Sequence, residues 1–554
     1  MPDIYRRIVK ISSILVLCSL SVSIIACKGH KKNKKKPVTE DFVYDDFQEK
    51  LKLLMPAGDT TDKKKLRFIT AAWYTYLQGD YDPIWLAHGY TACPAADKYL
   101  GELEEVRWDG LDPETYHLTA LKKLKEKLGG KETTLADAIS FDTLMTSSFL
   151  RASKDLLLGR VSAKKADSLW YHANDSVWNA PAQLAELQLN YTPLDAYRSK
   201  VPTYALLRNE YKHYTDLAKD TNLVRAMARV READETDSET MAQISYIVKQ
   251  EAPWIATATN DTVSEWAQLI GAYQGYMGLK ATGKADSTTL KCLCTPPDSL
   301  LPVIAANMER VRWMQRDFGS LYVLVDVPLM QLFLRRGGEN AMHMNVVVGK
   351  PVRQTPSLYA TMANVVLNPQ WGVPPTILKQ DVLPGLEKTG SKYMRKKGLK
   401  AYDHEGNVVD VSLINENNYK RFTYKQAPGD DNALGYVKFN LPNPWDIYLH
   451  DTPHRGDFGK RDRALSSGCI RLQQPKEMAV FVLSELEQKK FSMDDLDSIV
   501  KTHKTQWRLL SHKIPVHITY LTAFEDTTGT HINFVKDIYG RDGKLISLLG
   551  HVQK

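Results

Sequence analysis

Ile447-Tyr448-Leu449-His450-Asp451-Thr452-Pro453, followed by Ser466-Ser467-Gly468-Cys469-Ile470-Arg471-Leu472, is the stretch from which the rest of the chain is read. Its first segment predicts a strand that delivers His450. Its second places a thiol at a tight turn, because glycine before Cys469 lets backbone approach closely and leaves N–H groups free. Such N–H groups, Gly468's among them, can stabilise the oxyanion of a tetrahedral acyl intermediate. Arg471 brings positive charge near the thiol, which favours thiolate. His450 can take the thiol proton and later pass it to a leaving amine. The Asp451 backbone carbonyl is expected to hold the imidazole in one tautomer.

Strand signals surround this stretch. Tyr322–Val325, Met330–Phe333, Met344–Val348, Tyr359–Leu367, Gly435–Phe439 and Val516–Leu521 are β-rich and punctuated by Gly and Pro. Residues 378–425 are polar and poor in strand patterning, and are expected to be a lid or capping insertion. The chain before residue 320 reads differently. Leu51, Leu53 and Leu54, then Phe68, Ala71, Ala72, Tyr74 and Leu77, recur at helical spacing, and amphipathic runs follow at 120–128, 143–158 and 180–189. Ser264 to Met277 predicts a helix closed by Gly278-Leu279, with a turn at Gly283. A short helix capped by Asp286 or Ser287 follows, and Leu301 to Met314 is a further helix. The fold class expected is therefore α+β and multidomain.

His450, the spacer, Ser467-Gly468-Cys469 and Arg471 resemble the signature of the L,D-transpeptidase family, with its YkuD-type catalytic domain. Ser where many members have His just before Gly-Cys resembles the large YcbB-like type. So do Asn368-Pro369-Gln370-Trp371-Gly372-Val373-Pro374-Pro375, Gln426-Ala427-Pro428-Gly429, Asn432-Ala433-Leu434-Gly435 and Lys438-Phe439. Trp108-Asp109-Gly110-Leu111 and Leu158-Gly159-Arg160-Val161 are similar to that type's helical scaffold. On this resemblance, 46–245 is expected to be the scaffold domain, 246–298 a peptidoglycan-binding-like module and 299–319 a linker helix. The catalytic domain would span 320–525, with 526–554 a C-terminal extension.

The resemblance implies a reaction. The thiolate attacks the L,D bond between the third, diamino residue and the terminal D-Ala of a tetrapeptide stem, and D-Ala leaves. The amine of another stem then resolves the acyl-enzyme into a 3→3 cross-link; water as acceptor would make the chain a carboxypeptidase instead. Peptidoglycan tetrapeptide stems are the implied partners, and β-lactams of the carbapenem class the implied covalent inhibitors. Trp371 and Tyr448 are candidates for the substrate groove, their aromatic faces suiting a peptide stem, and Ser467 joins them. Chemistry of this type needs no cofactor or metal. His450 and His454 have ligand-like spacing but would not share a helical face, so zinc is not expected. His454, Arg461 and Arg463 could meet stem carboxylates, although solvated loop charges are the commoner explanation. A non-catalytic lipoprotein tethering membrane to peptidoglycan would not need His450, Gly468, Cys469 and Arg471 together.

The N-terminus sets the expected compartment. Arg6, Arg7 and Lys10 precede an apolar stretch, Ile11 to Ala26, that reads as a signal peptide. Ile24-Ile25-Ala26-Cys27 resembles a lipobox, so Cys27 is the expected lipidation site. Residues 27–45 are the expected lipidated, basic tether of a periplasm-facing lipoprotein in a bacterial cell envelope. Residues 1–36 hold nine Lys/Arg against one Asp, which alone equals the chain's net charge of +8. The body is therefore neutral, and the basic block suits anionic head groups at a membrane rather than nucleic acid. Cys93, Cys292, Cys294 and Cys469 are too sparse for a disulfide framework.

Overall fold

The computed structural model describes residues 44–54, 76, 81–172, 178, 191–233, 237–255, 263–488 and 490–550. The signal peptide, Cys27, the tether, the spacing read across Phe68 to Leu77 and the run at 180–189 lie outside the described residues. The described residues divide into two compact units, one drawn from residues 1–98, 120–147 and 179–192, the other from 99–119, 148–178 and 193–554.

The first unit contains the helix Tyr44–Leu54 and the short antiparallel pair β1 (Leu86–Ala87) and β2 (Thr91–Ala92). Asp142 is fully buried there. It accepts from the N–H groups of Ile84 (3.0 Å) and Trp85 (2.7 Å) and from the Tyr76 hydroxyl. Burial nonetheless raises its carboxyl to about 6.

In the second unit, Asp220, Asp237 and Asp286 each accept from backbone N–H groups at a helix start. They cap Thr221–Glu232, Ser238–Glu251 and Ser287–Leu293. The last of these packs on Thr221–Glu232 and Ser238–Glu251 and follows Val263–Tyr276 in the chain. Buried Gln274 ties the connecting turn by accepting from Thr282 and Gly283 N–H and donating to Thr282, Thr289 and the Lys284 carbonyl. Leu301–Arg312 packs on Pro202–Leu217. Segments 148–178 and 193–245, read from sequence as scaffold, thus share a compact unit with the catalytic region.

The sheet that carries the site is built from β3 (Trp170–Tyr171), β4 (Leu321–Asp326), β5 (Gln331–Arg336), β6 (Glu339–Gly349), β7 (Ser357–Leu367), β12 (Val437–Asn440), β13 (Leu449–His450), β15 (Ile470–Leu472) and β16 (Gln506–Thr519), with β14 (Ala464–Ser466) on β6. Its order runs β12-β13-β15-β6-β5-β4-β16-β7, and β12 also pairs with β7, so the sheet closes on itself. Val437, Phe439, Leu449, Ile470 and Leu472 point into its core and are fully buried. Each such side chain contributes about 1.5–3 kcal/mol by leaving water. Alternation then sends Lys438, Tyr448, His450, Cys469 and Arg471 to the opposite face.

The insertion departs from its strand-poor reading. β8 (Trp371–Gly372), β9 (Leu399–Tyr402), β10 (Val408–Val409) and β11 (Thr423–Gln426) form a separate antiparallel sheet in the order β10-β9-β11-β8. Leu378, Val382, Leu386, Met394, Leu399, Ala401, Tyr419 and Tyr424 make its own core. The capping subdomain therefore begins at Trp371, and its strands are too short to show a clear alternation in sequence. The C-terminal extension is also built in. β17 (Ala523–Glu525) pairs with β18 (Ile532–Phe534). Beyond them, the Tyr539 hydroxyl donates to the Gly349 carbonyl (2.5 Å) and accepts from Thr355 N–H (3.2 Å).

Candidate active site

Parallel pairing of β13 with β15 sets Leu449 beside Ile470 and His450 beside Arg471. Antiparallel pairing with β12 sets Lys438 beside His450. Three strands thus bring a thiol, an imidazole and two cations to one face.

His450 is buried, and its Nδ1 lies 2.5 Å from the Asp451 carbonyl oxygen. A carbonyl can only accept, so Nδ1 carries the proton and the Nε2 lone pair is left for chemistry. Burial first, then the Arg471 charge, lowers the imidazole to about 3, so it is neutral at ordinary pH. Asp451 is itself fixed. Its carboxylate accepts from Tyr436 N–H (2.9 Å), Thr452 N–H (2.7 Å) and the Arg455 guanidinium (3.0 Å), and its N–H donates to the Val437 carbonyl (2.8 Å). Gly435, at φ +57°, passes so close to this carboxylate that a Cβ there would collide with it.

Cys469 is partly exposed, and its thiol faces the Asp446 carbonyl at 3.5 Å. Burial pushes the thiol up, opposed by Tyr448 and Lys438. Asp446 has φ +54° and sits in a turn organised by Asn443. The Asn443 side chain donates to the Leu441 (2.5 Å) and Ile447 (2.7 Å) carbonyls and accepts from Trp445 and Ile447 N–H. Trp445 in that turn stacks on Tyr171, ring centroids 3.9 Å apart.

The turn before Cys469 departs from one expectation. Gly468 has φ +120°, which a glycine takes readily, but its N–H is occupied, donating to Ser466 Oγ at 3.1 Å. Ser466 Oγ in turn donates to the Cys469 carbonyl (2.6 Å), and Thr355 Oγ1 donates to the Gly468 carbonyl (2.7 Å). Among the described residues, the turn's N–H groups without an acceptor are those of Ser467 and Cys469, so these rather than Gly468 are open to an oxyanion.

Of the groove candidates, Tyr448 lies close to both Cys469 and Trp371, and its ring meets His450 edge-on at 5.5 Å. Trp371 belongs to β8, so the capping subdomain reaches the site. Ser467 is exposed and accepts from Arg353 at 3.0 Å. The same guanidinium forks onto Asp381 (2.5 and 2.8 Å) and donates to Gln380 (2.8 Å), both in the capping subdomain. Arg471 pairs with Asp457 at 3.4 Å, and its buried Nε has no hydrogen-bond partner among the described residues.

The outer loop residues separate. His454 is exposed, and Arg461 donates to the Gly278 carbonyl. Arg463 is buried rather than a solvated charge or a carboxylate binder: it donates to the Val346, Met330 and Lys460 carbonyls. The sequence alone points to no role for Lys438, Asn443, Asp446, Arg353 or Thr355. The alternation of Val437-Lys438-Phe439 was the one available signal, since it sets a lysine opposite two core positions.

Residues 320–516 match the YkuD family model, described as the L,D-transpeptidase catalytic domain, and residues 73–210 match one described as the scaffold domain. A Haemophilus influenzae protein named "Putative L,D-transpeptidase" is 36% identical over 245 residues, 44% of this chain and 48% of that protein. The chain therefore spans about half the length of the curated relative it matches. Among solved structures, an L,D-transpeptidase from Mycobacterium smegmatis aligns at 13% identity and a TM-score of 0.18, covering 36% of this chain and 58% of that one. A mutant of the Enterococcus faecium L,D-transpeptidase aligns at 12% identity and 0.18, covering 40% and 64%. The class is thus an L,D-transpeptidase catalytic domain joined to a scaffold domain. Residues 320–516 carry this domain in its YkuD form, and its pairing with a scaffold domain is consistent with the large, YcbB-like type.

Proposed function

We propose that this chain is a cysteine-dependent L,D-transpeptidase that forms 3→3 cross-links between tetrapeptide stems. The observation that carries the reading is the β12-β13-β15 register, which gathers Lys438, His450, Cys469 and Arg471 on one face. At rest the pair is a protonated thiol and a neutral imidazole, because burial disfavours both charged forms. The thiol proton passes to His450 Nε2 as sulfur attacks the stem carbonyl. The developing oxyanion meets the Cys469 and Ser467 N–H groups. His450 then gives its proton to the departing D-Ala amine, and takes one from the acceptor amine as the thioester is resolved. Trp371 and Tyr448 flank the donor stem.

Residues 24–27 support a lipid anchor at Cys27 and a periplasm-facing position, and a carbapenem ring is an acyl donor of the right kind for Cys469. The test is mass spectrometry of products from purified disaccharide-tetrapeptide. Wild type should release D-Ala and yield 3→3 dimers, and Cys469→Ala should do neither. Release of D-Ala with tripeptide alone would make the chain a carboxypeptidase. Undiminished turnover by Cys469→Ala would overturn the thiol mechanism.

A further inference from the structure

The titratable groups facing Cys469 come from every element around it: Lys438 on β12, Tyr448 and His450 on β13, Arg471 on β15 and Asp446 in the preceding turn. Two of the nearby cations are already committed, Arg471 to Asp457 and Arg353 to Asp381. Lys438 is different. Its Nζ stands 4.1 Å from the centroid of the Tyr448 ring, and the Tyr448 carbonyl accepts from the N–H of Ile470, the residue that follows the thiol. Among the described residues no carboxylate closes an ion pair with it. A partly buried ammonium with no carboxylate in ion-pair contact, Asp446 acting on it only at longer range, carries a desolvation cost that a cation–π contact offsets only in part. That cost is offset where negative charge appears beside it. His450 stays neutral until the thiol proton arrives, so it cannot serve as a standing cation for the sulfur.

We propose that the Lys438 ammonium is the counter-ion of the Cys469 thiolate. The inference rests on the reading of Cys469 as a nucleophile. When the S–H bond breaks, the proton goes to His450 Nε2 and the electron pair stays on sulfur. Lys438 keeps its own proton throughout and lowers the energy of the anion. The desolvated Tyr448 ring holds the ammonium in place and keeps water from screening it.

The test needs no peptidoglycan. Alkylation of Cys469 by iodoacetamide is followed by peptide mass spectrometry against pH in the full chain, for wild type, Lys438→Met and Lys438→Arg, with melting curves to verify folding. Lys438→Met should move the alkylation midpoint up by about one pH unit and slow the reaction at neutral pH about tenfold. Lys438→Arg, which keeps the charge, should stay near wild type. A folded Lys438→Met with the wild-type profile would overturn the proposal, as would equal losses in Met and Arg variants. Should Lys438→Met not fold, Lys438→Gln and Lys438→Arg make the same comparison. A wild type that releases no D-Ala, but whose thiol responds to Lys438, would sink the transpeptidase reading and leave the counter-ion standing.

Discussion

Arg353 grips Asp381 with both terminal nitrogens, at 2.5 and 2.8 Å, while one of those nitrogens also donates to Ser467, two residues before the thiol. One planar guanidinium thereby ties the capping subdomain to the turn that presents Cys469, a geometry that lysine cannot reproduce. Arg353→Lys and Asp381→Asn are each expected to raise hydrolysis of the acyl-enzyme relative to cross-linking several-fold, because a loosened cap admits water. The ratio of tripeptide to 3→3 dimer measures this. A folded variant with the wild-type ratio and rate would show that the tie has no part in excluding water.

Replacing the base separates its charge state from its presence. His450→Ala should slow acylation by about two to four orders of magnitude. Burial holds the wild-type imidazole near 3, so its neutral, base-competent form persists well below the ordinary histidine range. The acid limb of kcat/KM should accordingly fall far below pH 6.5 and vanish in the variant. A limb centred near 6.5 would contradict the buried, Nδ1-protonated imidazole.

A second buried histidine offers a stability test. His517 stacks on Phe318 at 3.7 Å, neither ring nitrogen has a hydrogen-bond partner among the described residues, and burial lowers it to about 2. Its folded value lies below its unfolded value, so the unfolded chain binds the extra proton. The cost is absent above about pH 6.5 and grows as pH falls toward 2. His517→Phe removes it, and should gain about 2 kcal/mol on wild type between pH 8 and pH 5. Equal differences in melting temperature at both pH values would refute this.

Cys27→Ser should block lipidation and leave the signal uncleaved or the protein released. Detergent partitioning and palmitate labelling decide the matter. An unlabelled wild type that fractionates as soluble would refute the anchor, for which a lipid and a lysine-rich tether act as two weak membrane signals.

How much was legible follows from how local each feature is. His450 and Cys469 were readable because strand, glycine turn and nucleophile sit in one short stretch. Lys438, Asp446 and Arg353 come from other strands and turns and acquire meaning only through pairing, which one sequence does not reveal. The helix starts at Asp220, Asp237 and Asp286 rest on side-chain caps within a few residues, and Asp286 was read as a candidate cap. β8 and β10 are two residues long, too short for alternation to register. The boundary between scaffold and catalytic region followed composition, whereas compactness follows contacts such as β3 on β7.

That last contact bears on how the protein can be cut. Trp170 pairs with Ser357 and Tyr171 with Leu358, and Tyr171 also carries the Trp445 stack beside the thiol's acceptor. A fragment starting at residue 320 would keep every side chain of the site but strip a neighbour from the sheet. Ser357 and Leu358 would then offer unpaired backbone to any passing strand, and Trp445 would lie bare. Such a fragment is better suited to sticking to copies of itself than to the proposed turnover, so the shortest useful piece of this chain must retain residues far upstream of the His450 and Cys469 segment.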